Sequence, residues 1–456
     1  MIPSGTSAVR LEDTIVALAT APGRGAIALV RLSGPDAFPI AATLLRGSLP
    51  EPRTAHLCDL FHEEEKLDQA LVTVFPSPNS FTGDDTVEFS IHGGNLVSSS
   101  IVAALLSSGA RQATPGEFTR RAVLNGKLDI LQAEAIGDLI DASSHIMQRT
   151  ALSQLDGGLS RRLLKLRNDL IGLEALIAYD VDFPEEDDGP IPRNKIDKSA
   201  KEIAANLEAL ISTGPAGEVI REGAIVVIAG PTNAGKSSLF NALLGRARAI
   251  VTEIPGTTRD ALEAVIDSGK WPLRLVDTAG LRETEDRIER LGIEVSQRYL
   301  SSADVVLACA ETSSSLEETI SVVSRASTGS VVPVFTKTDL VSMRDERRSP
   351  GAIPVSAETG AGLQELLRSI NETLDARHGE IVPDLPILTR VRHRRALDIA
   401  HSEIEQFRSG WRENKLPVTV IAVHLRTAVH ALEELIGVVE IEDVLDRVFS
   451  SFCVGK

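Results

Sequence analysis

Ala224-Ile225-Val226-Val227-Ile228-Ala229-Gly230-Pro231-Thr232-Asn233-Ala234-Gly235-Lys236-Ser237-Ser238 reads as an apolar strand, a glycine-bounded loop and the start of a helix that continues Leu239-Phe240-Asn241-Ala242-Leu243-Leu244. Gly230 to Ser237 fits the phosphate-binding loop pattern Gly-x-x-x-x-Gly-Lys-Ser in the strand–helix setting that pattern needs. Its glycines let the backbone wrap a phosphate, and the amides at the helix N-terminus then point at negative charge. Lys236 is placed to reach the β- and γ-phosphates and Ser237 to ligate Mg²⁺.

Three further elements follow in workable order. Asp277-Thr278-Ala279-Gly280 ends a strand pattern, with Asp277 expected near Mg²⁺ and the Gly280 amide near the γ-phosphate. Thr336-Lys337-Thr338-Asp339 ends another and matches a guanine-reading motif, in which the Asp339 carboxylate accepts from guanine N1–H and N2–H. Adenine lacks both donors, and stranding a buried acceptor costs selectivity factors of about 10⁴. Ser356-Ala357 fits the backbone loop that approaches the base. Thr336 replaces the more usual asparagine; one hydroxyl donor instead of an amide's two leads us to expect a looser tie to the phosphate loop. The four elements together imply a GTPase and exclude an ATPase if Asp339 reads the base.

Leu281 occupies the place of the glutamine that orients water in Ras-like proteins, so another group must do this. Glu283-Thr284-Glu285-Asp286-Arg287-Ile288-Glu289 supplies acidic candidates, most of them expected to be solvated. Asn233 offers a side-chain carbonyl beside the phosphates for a monovalent cation, and Thr252-Glu253-Ile254-Pro255-Gly256-Thr257-Thr258-Arg259-Asp260 offers backbone oxygens to close over it. One charge at roughly 4 Å in an effective dielectric near 20 is worth about 4 kcal/mol. Acting only in the transition state, that is on the order of three decades in rate.

Around this module the chain changes character. From 218 to 377 apolar runs at 224–229, 272–276, 304–309, 331–335 and 352–355 alternate with helical patterns, the mark of a mostly parallel sheet. Residues 1–120 mix short strands, among them 14–19, 26–32, 71–75 and 87–91, with glycine turns, and form a small α/β domain. Segments 121–217 and 378–456 are helical in period, and Gly214-Pro215-Ala216-Gly217 reads as the linker into the inserted module. Asp180 to Pro190 reads as an acidic loop between helices. The expected fold class is therefore α/β plus all-α, with a Ras-like P-loop domain inserted into a discontinuous helical domain. No internal repeat is visible, which gives one nucleotide module.

The 456 residues exceed one hydrophobic core, with 43% hydrophobic, 24% charged and 4% aromatic residues. A net charge of −17 argues against a large nucleic-acid footprint on this chain alone. The basic stretches 161–167 and 390–395 are read first as solvated helix faces, with local RNA contact as the alternative. Three scattered cysteines make neither a disulfide framework nor a zinc site. No leader pattern and no run of about 18 apolar residues is visible, so no membrane association and a cytoplasmic location are expected.

Segments outside the nucleotide module carry a family resemblance: Asp13-Thr14-Ile15-Val16-Ala17, Pro22-Gly23-Arg24-Gly25, Pro115-Gly116-Glu117-Phe118-Thr119, Leu124-Asn125-Gly126-Lys127-Leu128-Asp129, Gln132-Ala133-Glu134-Ala135 and the ending Phe452-Cys453-Val454-Gly455-Lys456. With them the sequence resembles the bacterial tRNA-modification GTPases of the MnmE (TrmE) type, within the potassium-dependent TrmE-Era-EngA-type GTPases, over nearly the whole chain. The resemblance implies a homodimer that joins an FAD-containing partner, MnmG, in a heterotetramer acting on tRNA. It implies addition of carboxymethylaminomethyl or aminomethyl groups to C5 of the wobble uridine, with ammonium and glycine both open as amine donor. The one-carbon unit would come from a 5,10-methylene- or 5-formyl-tetrahydrofolate held by the N-terminal domain.

By matched position, the resemblance assigns Arg31, Glu88, Lys127 and Lys456 to folate, Asn233, Thr252, Ile254 and Thr257 to K⁺, Ser237 and Thr258 to Mg²⁺, and Glu289 to the attacking water. GTP contacts would run through 233–238, 252–258, 277–280, Thr336, Lys337, Asp339, Ser356 and Ala357. Val454 stands where isoleucine is usual, and 437–442 lacks the family's Thr-Gly-Glu wording. Cys453 matches a cysteine implicated in the modification chemistry, although a small buried residue is the better reading of the sequence itself. The rival is a regulatory switch GTPase of ribosome assembly, which would ordinarily carry a KH-like domain or second GTPase module.

Overall fold

The computed structural model describes residues 13–182, 192–246, 262–277, 298–340, 351–379, 386–437 and 452–455. The chain divides into two compact units, Met1–Gly137 with Glu433–Lys456, and Asp138–Leu432.

The first unit is built on a six-stranded sheet of β1 (Ile15–Leu18), β2 (Ile27–Ser33), β3 (His56–His62), β4 (Glu65–Phe75), β5 (Thr86–His92) and β6 (Arg111–Gln112), ordered β3-β4-β5-β2-β1-β6. Its neighbours are antiparallel except β1 with β6. Alternation along β2 and β5 sends Val30, Leu32, Phe89 and Ile91 into one core, which Leu44, Ile101 and Leu105 of the covering helices Ala37–Leu45 and Asn95–Ser107 complete.

The far edge of this sheet carries a cluster of ions. Arg111 forks onto Asp13 and Glu117, while the fully buried Arg121 donates to the carboxylates of both and to the Asp13 carbonyl. Burial would raise the carboxyls of Asp13 and Glu117, but the guanidinium hydrogen bonds outweigh it and hold both below their ordinary values. Asp84 shifts the other way, because its burial outweighs the pull of Arg121 and Asn125. Glu117 also accepts from the Thr114 amide, fixing the turn whose Pro115 makes an antiparallel bridge with Val454.

The second unit contains the sheet β7 (Ala224–Ala229), β8 (Leu262–Asp267), β9 (Pro272–Asp277), β10 (Val305–Ala310), β11 (Ser330–Phe335) and β12 (Ile353–Pro354), ordered β12-β11-β10-β7-β9-β8. All pairs are parallel except β8 with β9. Strand β8 was not anticipated from the sequence. Its alternation is short, and its only strand neighbour among the described residues is β9, so the pairing that makes it a strand is a tertiary fact.

Helices on either side of this module in sequence pack together. Arg193–Ile211 buries Ile196, Ile203 and Leu207; Val391–Glu413 buries Leu397, Ile404 and Phe407. Trp411 donates to the Arg193 carbonyl at 3.2 Å, and the Arg193 guanidinium stacks 4.2 Å above its ring. The expected linker at 214–217 is instead the opening of the helix Gly214–Glu222, with proline in its first turn. Gly217 is there for proximity: a Cβ would lie 1.9 Å from the Leu388 carbonyl oxygen. Likewise, helix Gly158–Asp182 continues through the start of the expected acidic loop, and 183–190 lie outside the described residues. In the stretch 390–395, Arg390 pairs with Asp138 and Arg394 with Glu218, so that part of the basic run faces acids of its own unit and not only solvent.

Candidate nucleotide site

The loop after β7 lies at the carboxyl ends of the parallel strands, where a doubly wound sheet opens a crevice. Gly230 passes so close to β10 that a Cβ would sit 2.2 Å from the Cys309 carbonyl oxygen. Cys309 itself is fully buried, and burial pushes its thiol up to about 12 against the pull of Lys236. Asn233 holds a left-handed φ of 66°, which short polar side chains tolerate better than most, and Gly235 one of 75°. The helix Lys236–Arg246 then begins, with Leu239, Phe240 and Leu243 anchoring it to the core.

Side chains from the loop helix and from the ends of β9 and β11 converge on this loop. Lys236, 8% exposed, donates from Nζ to the Pro231 carbonyl at 2.8 Å, folding its ammonium over the loop. Ser237 donates to Oδ2 of the buried Asp277 at 2.6 Å, bringing one residue assigned to Mg²⁺ into contact with the carboxylate expected near the ion. Two hard oxygen donors suit Mg²⁺ chemically. Thr336 donates to the Ala234 carbonyl at 2.8 Å, so its single hydroxyl does reach the phosphate loop.

The base-reading side is equally connected. The exposed Asp339 accepts from Ser356 Oγ at 2.6 Å, and Ser356 accepts from the Thr359 amide. Ala357 follows Ser356 in the same loop, half-buried. Lys337, at a left-handed φ of 56°, pairs with Glu311 at 2.6 Å. Glu311 follows β10 directly, and no motif in the sequence singled it out. Ser238 is exposed on the first turn of the loop helix. Residues 252–258, 278–280, 281 and 289, with the expected K⁺ ligands Thr252, Ile254 and Thr257, the expected Mg²⁺ ligand Thr258 and the water-orienting acid among them, lie outside the described residues.

In the first unit, Arg31 and Glu88 are directly opposed on β2 and β5 and share a hydrogen bond of 2.8 Å. The Arg31 guanidinium lies 5.4 Å from the Phe81 ring and 5.6 Å from that of Phe118, so it sits in an aromatic cage with a counter-ion. Lys127 is exposed and donates to the Pro78 carbonyl at 2.9 Å. Lys456 lies outside the described residues. Cys453, read from the sequence as buried, is exposed. Phe452 takes the packing position against Gly137, and the Cys453 carbonyl accepts from the Gly116 amide, leaving its side chain on the open side of the strand-like segment.

With this geometry in place, comparison with known proteins is direct. Residues 14–127 match the family model described as GTP-binding protein TrmE N-terminus, and 130–453 the model described as MnmE helical domain. The tRNA modification GTPase MnmE of Heliobacterium modesticaldum is 43% identical, the alignment covering 97% of this chain and 99% of that protein. The proteins of the same name from Moorella thermoacetica and Aquifex aeolicus are 40% and 37% identical, each across 98% of this chain and all of theirs. The solved G domain of the T. maritima FeoB iron transporter aligns over 33% of this chain and 98% of its own at 26% identity, with a TM-score of 0.26, too low to carry an argument. No helix among the described residues is long and apolar enough to cross a membrane. The two family models and the full-length relatives agree with the loop and its converging strands: this chain belongs to the MnmE family of tRNA modification GTPases.

Proposed function

We propose that this protein hydrolyses GTP to drive modification of tRNA at C5 of the wobble uridine, forming carboxymethylaminomethyl or aminomethyl groups together with an FAD-dependent partner. The GTPase activity and the role in tRNA modification follow from family membership. The observation that carries the nucleotide site is the convergence of Lys236, the Ser237–Asp277 pair, the Thr336–Ala234 tie and the Asp339–Ser356 pair at one end of one sheet.

Each contact there can be exchanged for one with ligand. Lys236 leaves a backbone carbonyl for the β- and γ-phosphates, and Ser237 and Asp277 open toward Mg²⁺, with Thr258 as a further oxygen donor. Asp339 turns from a serine hydroxyl to the guanine edge. Gly280 is assigned to the γ-phosphate, and Glu289 takes the water-orienting role that Leu281 cannot. K⁺ held by Asn233, Thr252, Ile254 and Thr257 would supply positive charge beside the phosphates.

The N-terminal domain, 1–120, is assigned to the tetrahydrofolate donor. Two observations favour this: the exposed Phe81 ring beside Arg31 suits a flat heterocycle, and Glu88 offers a carboxylate on the same strand pair. Lys127 and Lys456 supply charge for the acidic tail. GTP hydrolysis is assigned to the inserted module at 218–377, flanked by helical segments 121–217 and 378–456, and the working assembly is a homodimer joined to MnmG.

The deciding experiment is mass spectrometry of wobble nucleosides from cells lacking the gene. Unmodified C5 should appear and be reversed by the intact gene but not by a Lys236→Ala copy. Normal wobble nucleosides in the deletion strain would leave the ribosome-assembly reading in its place.

A further inference from the structure

Glu263 is a carboxylate with a side chain only 4% exposed, on a strand that no motif marked. Arg274 on β9 grips it with Nε at 2.8 Å and Nη2 at 2.5 Å. The Tyr299 hydroxyl, from the helical residues 298–302, donates to its other oxygen. Burial and this hydrogen bond to Glu263 both push the Tyr299 phenol up, which keeps it a donor.

The ladder shows what the grip holds. Glu263 pairs with Val276 and its neighbour Leu262 with Asp277, so the ion pair runs diagonally across the last rungs before the nucleotide site. Val276 packs in the core layer that Tyr299 also covers, while Asp277 turns to Ser237. A buried ion pair is a poor device for stability alone, since apolar residues of similar size often serve as well. A guanidinium fork adds a fixed distance and angle between the two strands. The strand it fixes ends in the carboxylate that meets Ser237.

We propose that Glu263, Arg274 and Tyr299 form a positioning unit for Asp277, which sets GTP turnover from outside the nucleotide site. This rests on the assignment of Asp277 and Ser237 to the nucleotide site. Misplacing a reacting or ligating group by about 1 Å costs on the order of 10²-fold in rate, so a partly loosened clamp should cost about tenfold.

The test uses the full-length protein with Tyr299→Phe, which removes one hydroxyl, and Arg274→Lys, which keeps the charge but loses the fork. Both variants should lower kcat for GTP about tenfold and raise the Mg²⁺ concentration for half-maximal turnover severalfold. GDP affinity measured without Mg²⁺ and the melting temperature should stay near those of the parent. Unchanged kcat and Mg²⁺ dependence in both variants would overturn the proposal. So would a kcat loss that merely tracks a fall in GDP affinity and melting temperature, since that is the signature of a structural role. Asp277→Asn is the control: full turnover in that variant removes the nucleotide-site assignment itself, whatever the clamp variants do.

Discussion

The nucleotide site and the edge of the N-terminal sheet both hold charged side chains in fixed partnerships, but they partner them differently. At the sheet edge, Arg121 and Glu117 are buried against each other, with Asp13 and Arg111 completing a closed set of counter-ions. Around the phosphate loop, Lys236 rests on a carbonyl, and Ser237 and Ser356 give their hydroxyls to Asp277 and Asp339. A contact between a charge and a neutral group can be traded for a ligand. A buried ion pair cannot be opened without stranding a charge, at several kcal/mol. Mutual ion pairing and carboxyls held low by guanidinium groups thus mark the structural cluster, while hydroxyl and carbonyl partners mark the phosphate side of the site.

The largest effect expected from this contrast is at Asp339. Asp339→Asn should weaken GTP by about 10⁴-fold and create affinity for xanthosine triphosphate, whose added oxygen accepts from the new amide. Binding assays with the two nucleotides decide it; unchanged GTP affinity would remove Asp339 from the site and the contrast with it.

Arg121→Met is the counterpart in the other region. Removing the buried guanidinium leaves Glu117 and Asp13 to Arg111 and should cost about 3 kcal/mol in urea unfolding while GTP turnover stays near normal. A loss below about 1 kcal/mol would show that the cluster reorganises freely and is no more committed than the loop.

The cation reading sharpens the loop side. Turnover in K⁺ should exceed that in Na⁺ at equal ionic strength by up to about 10³-fold, and Asn233→Ala should flatten the difference. Equal rates in the two salts would leave the missing glutamine unexplained.

Arg31 is the intermediate case, a cation with both a counter-ion and an aromatic cage. Arg31→Ala should weaken 5-formyltetrahydrofolate by about 1.5–3 kcal/mol in calorimetry, with GTP turnover unaffected. If the intact protein binds no folate, Arg31–Glu88 is a structural pair like those at the sheet edge.

The smallest effect is the acid dependence. The carboxyls of Asp13 and Glu117 are lower folded than unfolded, so their stabilisation is complete above the ordinary carboxyl range of about 4 and is lost as pH falls through the folded values. Asp84, raised by burial, works in the opposite direction and gains as it protonates, which blunts the loss. Urea midpoints should fall between pH 5 and 3, and Arg121→Met should flatten that slope. An unchanged slope in Arg121→Met would detach the acid response from this cluster.

What the sequence determined is what short-range rules encode. An apolar run, a loop with glycines at fixed spacing and a helix pattern located β7 and the phosphate loop; strand-ending motifs located β9, β11 and β12, and an apolar run alone located β10, all near their observed bounds. Those signals are legible because a backbone that must wrap a phosphate needs its special residues within a few positions of one another. Tertiary structure alone decided the rest. Glu263 and Tyr299 meet across 36 residues, Asp13 and Arg121 across 108, and nothing in either segment announces the other. Gly217 reads as a linker glycine until Leu388 arrives against it, and Cys453 reads as buried until Phe452 takes the packing place. Strand β8 exists because β9 offers it a ladder. Each depends on groups far apart in sequence losing their solvent to one another, and that exchange has no local pattern to read.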